Sequence, residues 1–288
     1  MTLIDQIGGP EGDLLGIRRI LTGGAPGEGS HEERRQLIAR FQDPHRIRAG
    51  LEYWRTVGFP ALVASNHPRL FEALGRRPVD TLPRPIPIVP NIEGFIRESA
   101  EFGVVGAGLR RMWRVGPVAI TGLAMRSVGR LSALMRGDFP MRLRSFIELE
   151  LNEFSRFDPP VVFLQSAMTD IAVAMRDPCI IEAFIAAVTS RTYAIAGLAT
   201  HNFAPLASAL KTWGLECGAV LAPWNASGAS MRPDINSCTA AARACDFPLW
   251  ADRLGRIDPP TQDDREAMRQ ANLIGSARDD ISIWCTRS

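Results

Sequence analysis

A repeated alternation of short apolar runs with longer amphipathic segments is the feature that most constrains the fold of this chain. From residue 61 onward, eight mostly apolar runs follow one another, each ending in a polar cluster. Continuous apolar runs of this length are typical of parallel strands that are buried on both faces. The eight runs are Ala61–Ser65, Ile86–Val89, Pro117–Thr121, Val161–Gln165, Tyr193–Thr200, Ala219–Trp224, Phe247–Trp250 and Ile281–Cys285.

The segments between the runs have the length and the apolar spacing of helices. Alternating strands and helices predict a parallel sheet, and eight such units predict closure into a (β/α)8 barrel. An open doubly wound sheet is the alternative, but the Gly103–Gly108 segment has the wrong glycine order for its dinucleotide fingerprint. The predicted helices include Phe139–Phe154, Pro178–Thr189, Pro205–Trp213, Asp234–Cys245 and Gln262–Ala271.

The predicted domain organisation is an N-terminal helical extension over residues 1–58, packed on a barrel over residues 59–288. The extension includes a helix that we predict from about Pro44 to Val57. We favour Ala61–Ser65 as the first barrel strand. If Ile17–Leu21 is the first strand instead, the strand count shifts by one.

Composition and charge exclude several classes of protein. A chain of 288 residues, 46% of them hydrophobic, fits one large globular domain. A net charge of +2 provides no electrostatic argument for binding nucleic acid or an anionic membrane, and no apolar run is long enough to span a bilayer. Five scattered cysteines without C-x-x-C spacing suit reduced thiols. We therefore expect a cytoplasmic protein that binds a small-molecule substrate. The sequence leaves open whether the protein is a homo-oligomer.

The catalytic candidates lie where the predicted strands end, because barrel enzymes carry their reactive groups there. His201 is the strongest, since histidine gains or loses a proton near neutral pH and so suits a general acid or base. The alternative is that His201, Asn202, Asn66 and His67 merely begin the helices that follow them. The candidate catalytic residues are His201, Asn202, His67, Glu93 and Asp170.

The candidate substrate-binding residues follow the same strand ends. Side-chain amides there would orient a polar substrate, and the late loop Asn225–Ser230 resembles loops that bind phosphate through backbone N–H groups. Arg253 would add a bidentate positive charge, although a plain connecting loop is the alternative. The candidates are Asn66, Asn91, Gln165, Trp224, Asn225, Ser227 and Arg253.

The sequence leaves the cofactor open. We expect none in the first place, and NAD(P) or a divalent metal is less favoured. A metal site would use His67, Glu93, Asp170 and His201, a set that suits zinc, manganese or iron. No H-x-H or H-E-x-x-H spacing supports that set.

Two other groups of charged residues are interpreted as solvated. Glu148, Glu150 and Glu153 follow one another on a predicted helix at spacings that do not share one face. Lys211, the only lysine, falls in the middle of a predicted helix, where it would be exposed. A catalytic Schiff-base lysine needs a desolvated position, so that chemistry is disfavoured.

The last third of the chain resembles the aldo/keto reductase family. Ile195–Phe203 looks like that family's strand with a polar pair beside the nicotinamide, and Ala219–Asn225 and Asp280–Cys285 look like later strands. The resemblance implies a (β/α)8 barrel and a nicotinamide cofactor. The chain departs from the family's catalytic tyrosine, aspartate, lysine and histidine, because it has only Tyr53, Tyr193 and the misplaced Lys211.

The favoured function is a barrel enzyme that performs acid–base chemistry, of lyase, isomerase or cyclase type, on a small polar or anionic metabolite. His201 would be its acid or base. The alternatives are an NAD(P)-dependent oxidoreductase, a metal-dependent hydrolase or lyase, and a barrel subunit without catalysis.

Overall fold

The computed structural model describes residues 43–56, 61–75, 78–92, 100, 139–191, 194–224, 228 and 231–252. Within these ranges, six parallel strands form one sheet whose strand order is the order in the sequence. The sheet is curled into a half-barrel. Its strands are β1 (Ala61–Ala64), β2 (Arg84–Val89), β3 (Val161–Leu164), β4 (Ile195–Ala199), β5 (Ala219–Pro223) and β6 (Leu249–Asp252).

Seven α-helices accompany the sheet in the described ranges. Each lies before the first strand or between two strands of the sequence, as a parallel sheet requires of its connections. A short 3-10 helix, Ser155–Phe157, precedes β3. The helices are α1 (Pro44–Thr56), α2 (Pro68–Leu74), α3 (Phe139–Phe154), α4 (Ser166–Met175), α5 (Cys179–Thr189), α6 (Phe203–Trp213) and α7 (Ile235–Ala244).

The predicted closed eight-stranded barrel is wrong. β2 pairs directly with β3 in the register Ile88↔Phe163 and Val89↔Leu164, so the run 117–121 does not lie between them as a third strand. β1 and β6 form the two edges of the described sheet. Apolar runs report burial, but burial does not decide whether a run joins a sheet or whether the sheet closes. The runs 17–21, 117–121 and 281–285 lie outside the described residues.

Most other predicted elements are confirmed. Six of the eight apolar runs are strands within a few residues of their predicted bounds. The helix Phe139–Phe154 has the predicted bounds, and the predictions for α1, α5, α6 and α7 differ by one or two residues at their ends. α4 was not among the predicted helices, and the predicted helix 262–271 lies outside the described residues. No helix in the described ranges is long and apolar enough to cross a membrane.

The sheet is buried on both faces, which explains why its strands are apolar without polar alternation. In β3, Val162 and Leu164 join a large core that includes residues of all seven helices. Val161 and Phe163 face the other way, into a smaller cluster built entirely from strand residues. This inner cluster lines the concave face of the curled sheet, and its buried members are Val63, Ile86, Ile88, Val161, Phe163, Ala199, Ala219 and Leu221.

Phe163 organises the inner cluster. Its ring lies where a Cβ atom on Gly197 would be, since an ideal Cβ there would be 2.6 Å from the ring's Cε1 atom. The Trp250 ring packs edge-on against Phe163, with ring centroids 5.2 Å apart. The concave face is therefore filled by side chains at this level, and a group of polar residues follows at the carboxyl ends of the strands.

Candidate active site

Polar side chains gather at the carboxyl ends of the first four strands. Ser65 and Asn66 follow β1, Asn91 follows β2, and Gln165 follows β3. Thr200 and His201 follow β4. Because the strands are parallel and adjacent, their carboxyl ends meet at one edge of the sheet, where open α/β folds bind ligands.

Asp170 and His201 form the most organised contact at this edge. Helix α4 begins directly after Gln165, so Asp170 lies in its second turn and reaches the neighbouring end of β4. The carboxylate accepts hydrogen bonds from the Thr200 hydroxyl and, at 3.2 Å, from the backbone N–H of His201. The Nδ1 atom of His201 lies 3.3 Å from the Oδ2 atom of Asp170.

This arrangement selects the charge of Asp170 and the tautomer of His201. Burial by itself raises the pKa of Asp170, but hydrogen bonds from His201, Thr200 and Asn202 together hold that pKa below its ordinary value of 3.8. An ionised carboxylate only accepts, so the proton of a neutral His201 lies on Nδ1. Nε2 then carries the free lone pair. The side chain is 42% exposed, so a substrate can reach it.

Two of the residues interpreted alternatively as the starts of helices, Asn202 and His67, do occupy cap positions, but neither side chain caps its helix. Asn202 is the N-cap residue of α6, but its side chain makes no capping hydrogen bond. Its backbone N–H donates to the Thr200 hydroxyl at 2.8 Å. His67 holds the equivalent position before α2 and also makes no capping hydrogen bond. What holds the start of α6 is the Asp170 network, which also positions His201.

A second network links the ends of β1 and β2. The side-chain amide of Asn91 donates to the backbone carbonyl of Asn66 at 2.7 Å. The backbone N–H of Asn91 donates to the Oε2 atom of Glu150 at 2.8 Å. All three residues are buried. Glu150 on α3 thereby anchors the polar edge from the helix side of the sheet.

The interpretation of Glu148 and Glu150 as solvated is wrong. Glu148 and Glu150 are 3% and 1% exposed. Arg144 lies 2.9 Å from Glu148, and Arg191 lies 3.7 Å from it. The partners Asn91 and Arg191 are distant in sequence, so helical spacing alone could not identify them. Thr200, which is absent from the predicted site, is another residue whose role depends on such a long-range partner, Asp170.

The remaining candidates are placed in different surroundings. Gln165 is half-buried, and its backbone N–H donates to the carbonyl of Val89 at 2.7 Å. Trp224 is buried in the large helix-side core, edge-on to Phe203. Trp224 continues the alternation of Val220 and Ala222 in β5, which pack in the same helix-side core. Its side chain therefore points away from the concave face. Glu93, Asn225, Ser227 and Arg253 lie outside the described residues.

The metal site stays a prediction. Of its four residues, the structure brings Asp170 and His201 together, while Glu93 is outside the described residues. No group of three histidine, cysteine, aspartate or glutamate side chains in the described part of the chain could hold a metal ion. Lys211 is exposed on α6, as predicted.

The lowered pKa of Asp170 predicts a pH-dependent contribution to stability. A carboxyl group whose pKa is lower in the folded than in the unfolded chain stabilises the fold above its unfolded pKa, near 3.8, and loses this effect as pH falls below it. We expect the difference in urea midpoint between the wild type and Asp170→Asn to be largest near pH 7 and to shrink toward pH 3. A difference that grows on acidification would contradict the assignment.

Comparison of the chain with protein-family models, with curated proteins and with solved structures finds no match. The resemblance to aldo/keto reductases therefore stays an expectation, and function has to be inferred from the geometry of the site.

Proposed function

We propose that the protein is an enzyme of lyase or isomerase type that performs acid–base chemistry on a small polar metabolite, with His201 as its acid and base. The contact between His201 Nδ1 and Asp170 Oδ2 carries this proposal. A half-exposed histidine with a partly buried carboxylate partner at the ligand-binding edge of a parallel sheet is well suited to moving a proton.

The chemistry follows from the tautomer. His201 Nε2 removes a proton from the substrate, from a carbon beside a carbonyl or from a hydroxyl group, and the ring becomes an imidazolium. Asp170 accepts from Nδ1–H throughout and stabilises the positive charge that develops. The proton then returns from Nε2 to a different substrate atom or to a leaving group, which restores neutral His201.

Thr200 and the backbone of His201 hold the carboxylate for this task. Their hydrogen bonds hold Asp170 at the end of β4. Asp170 in turn orients the His201 ring before the substrate binds. Positioning of this kind lowers the barrier because less rotational freedom is lost in the transition state.

Hydrogen exchange tests this proposal with a set of simple carbonyl compounds in place of the natural substrate. The protein is incubated in D₂O with single small aldehydes, ketones and hydroxyketones, and replacement of C–H by C–D beside the carbonyl is followed by proton NMR. We expect the wild type to accelerate exchange for some of these compounds above the buffer rate, and His201→Asn to lose the acceleration. His45→Asn, at the exposed start of α1, is the matched control.

Two outcomes would contradict the proposal. One is exchange at the buffer rate for every compound. The other is full acceleration by His201→Asn. Acceleration that requires added NADP or a divalent cation would support the oxidoreductase or the metal-dependent alternative instead.

A further inference from the structure

We infer that the substrate is a neutral polyhydroxylated molecule, such as a sugar or polyol, bound by Ser65, Asn66 and Gln165. This inference rests on the proposed function of His201, because it assigns the substrate of the same site. The juxtaposition that carries it is three unpartnered polar atoms at the carboxyl ends of β1 and β3, on the same edge of the sheet as the Asp170–His201 contact.

The three atoms are Ser65 Oγ, Asn66 Oδ1 and Gln165 Oε1. Each is buried and has no hydrogen-bond partner among the described residues. Ser65 and Asn66 are themselves more than nine-tenths buried. Buried polar groups in folded proteins are nearly always paired, so a cluster of exceptions at one sheet edge points to a ligand that completes their hydrogen bonds.

The three residues share one place in the fold. Asn66 is tied to Asn91 at the end of β2, and the Gln165 backbone is tied to Val89 of the same strand. In the alternation of the sheet, Ser65 and Gln165 occupy the concave-face positions directly after Val63 and Phe163. His201 occupies the same kind of position after Ala199. Ser65, Gln165 and His201 therefore form a polar rim on the apolar inner cluster, and Asn66 lies next to Ser65 at the same edge of the sheet, in the alternation of Ala64.

Hydrogen bonds within the protein hold the backbone of this rim in place. Buried Glu150 accepts the backbone N–H of Asn91, and Asn91 in turn donates to the Asn66 carbonyl. The backbone carbonyl of Asn66 is thus held by Asn91, which buried Glu150 holds in turn. A ligand meeting this rim would lose little affinity to the ordering of the protein.

The chemistry of the rim favours hydroxyl groups. A serine hydroxyl and two carboxamides both donate and accept hydrogen bonds, as sugar hydroxyls do. An anionic ligand would instead meet acceptor oxygens beside the carboxylates of Asp170 and Glu150. Two described arginines, Arg144 and Arg191, both pair with Glu148. Charge at the described edge therefore disfavours a phosphorylated substrate.

Ligand-observed NMR with named probes tests the inference. Saturation transfer is measured from the full chain to D-xylose, D-ribose, D-glucose, D-fructose, xylitol and D-glucitol, with inorganic phosphate and ethanolamine as charged probes in competition. We expect saturation transfer to at least one neutral probe, and we expect the same probe to bind His201→Asn. Failure of every neutral probe, or displacement by phosphate or ethanolamine at equal concentration, overturns the inference.

Two substitutions then locate the binding site. Ser65→Ala and Gln165→Met preserve approximate volume and remove the unpartnered oxygens. We expect each to weaken binding of the neutral probe by about 3- to 10-fold, the equivalent of one hydrogen bond. We also expect the unliganded variants to melt at or above the temperature of the wild type, because an unpaired buried polar atom is removed. Ser190→Ala at the end of α5 is the matched control.

The outcomes separate this inference from the proposed function. Probe binding that depends on Ser65 and Gln165, without hydrogen exchange in any compound, supports the ligand class and contradicts the catalytic role of His201. Exchange that depends on His201, with probe binding unchanged in Ser65→Ala and Gln165→Met, supports the catalytic role of His201 and contradicts the ligand class. A lowered melting temperature in both unliganded variants would show that the two side chains hold the fold and not a ligand.

Discussion

The His201→Asn variant is expected to exchange substrate hydrogen for deuterium about 10²- to 10⁴-fold more slowly than the wild type, the usual contribution of a positioned general acid or base. Asparagine keeps an N–H donor toward Asp170 but has no basic nitrogen. The loop after β4 should therefore stay in place while the proton transfer is lost. The initial exchange rate is measured by NMR at a fixed substrate concentration.

Asp170→Asn identifies how the carboxylate acts. An asparagine oxygen can still accept from the Thr200 hydroxyl, but its amide nitrogen would donate to His201 Nδ1. The proton of neutral His201 would then move to Nε2, and the free lone pair would be lost from the substrate side. We expect a loss of rate comparable to that of His201→Asn, with the fold retained.

Asp177→Asn is the matched control for this substitution. Asp177 accepts the backbone N–H of Cys179 at the exposed start of α5, which makes it a structural aspartate close in sequence to Asp170. Its substitution should leave the exchange rate unchanged. A full rate in Asp170→Asn together with a large loss in His201→Asn would mean that Asp170 only anchors the loop after β4.

Phe163→Ala is expected to have the largest effect on stability, a loss of about 3–5 kcal/mol in the free energy of unfolding. The Phe163 ring is fully buried between Gly197 and Trp250 on the concave face. Its removal leaves a cavity that these neighbours cannot fill, because Gly197 has no side chain. Urea unfolding followed by circular dichroism measures the loss, and Phe163→Leu should lose less.

A double-mutant cycle with Gly197 checks that the ring occupies this place. Gly197→Ala alone should cost about 1–3 kcal/mol, because the new Cβ meets the ring carbons at 2.6 and 2.7 Å. In the Phe163→Leu background, which removes the rigid ring, the same substitution should cost less. Equal costs in the two backgrounds would contradict the packing of Phe163 against Gly197.

The strands could be predicted from sequence because burial on both faces leaves a local record. Residues 161–164 and 219–222 are apolar at every position since each residue packs either in the helix-side core or in the inner cluster. No local sequence pattern indicates that β2 pairs directly with β3. This pairing skips the apolar run 117–121, and a barrel that counts this run as a strand was the wrong expectation.

The sequence identified individual candidate residues of the site but not the contacts between them. His201 and Asp170 could be named because histidine and aspartate near strand ends suit acid–base chemistry. Their contact, 31 residues apart in sequence, depends on how α4 packs beside the end of β4. Glu150 shows the opposite failure, since helical spacing suggested a solvated side chain where the fold supplies a buried partner in Asn91.

The sequence by itself determined the six described strands and most of the described helices, because apolar periodicity and chain length are local properties. It also determined that polar residues follow the strands. The tertiary structure decided that the described sheet is an open half-barrel, that Asp170 orients His201, and that Ser65, Asn66 and Gln165 carry unpartnered polar atoms at one edge of the sheet. These features depend on contacts between residues distant in the chain, and no local pattern records such contacts.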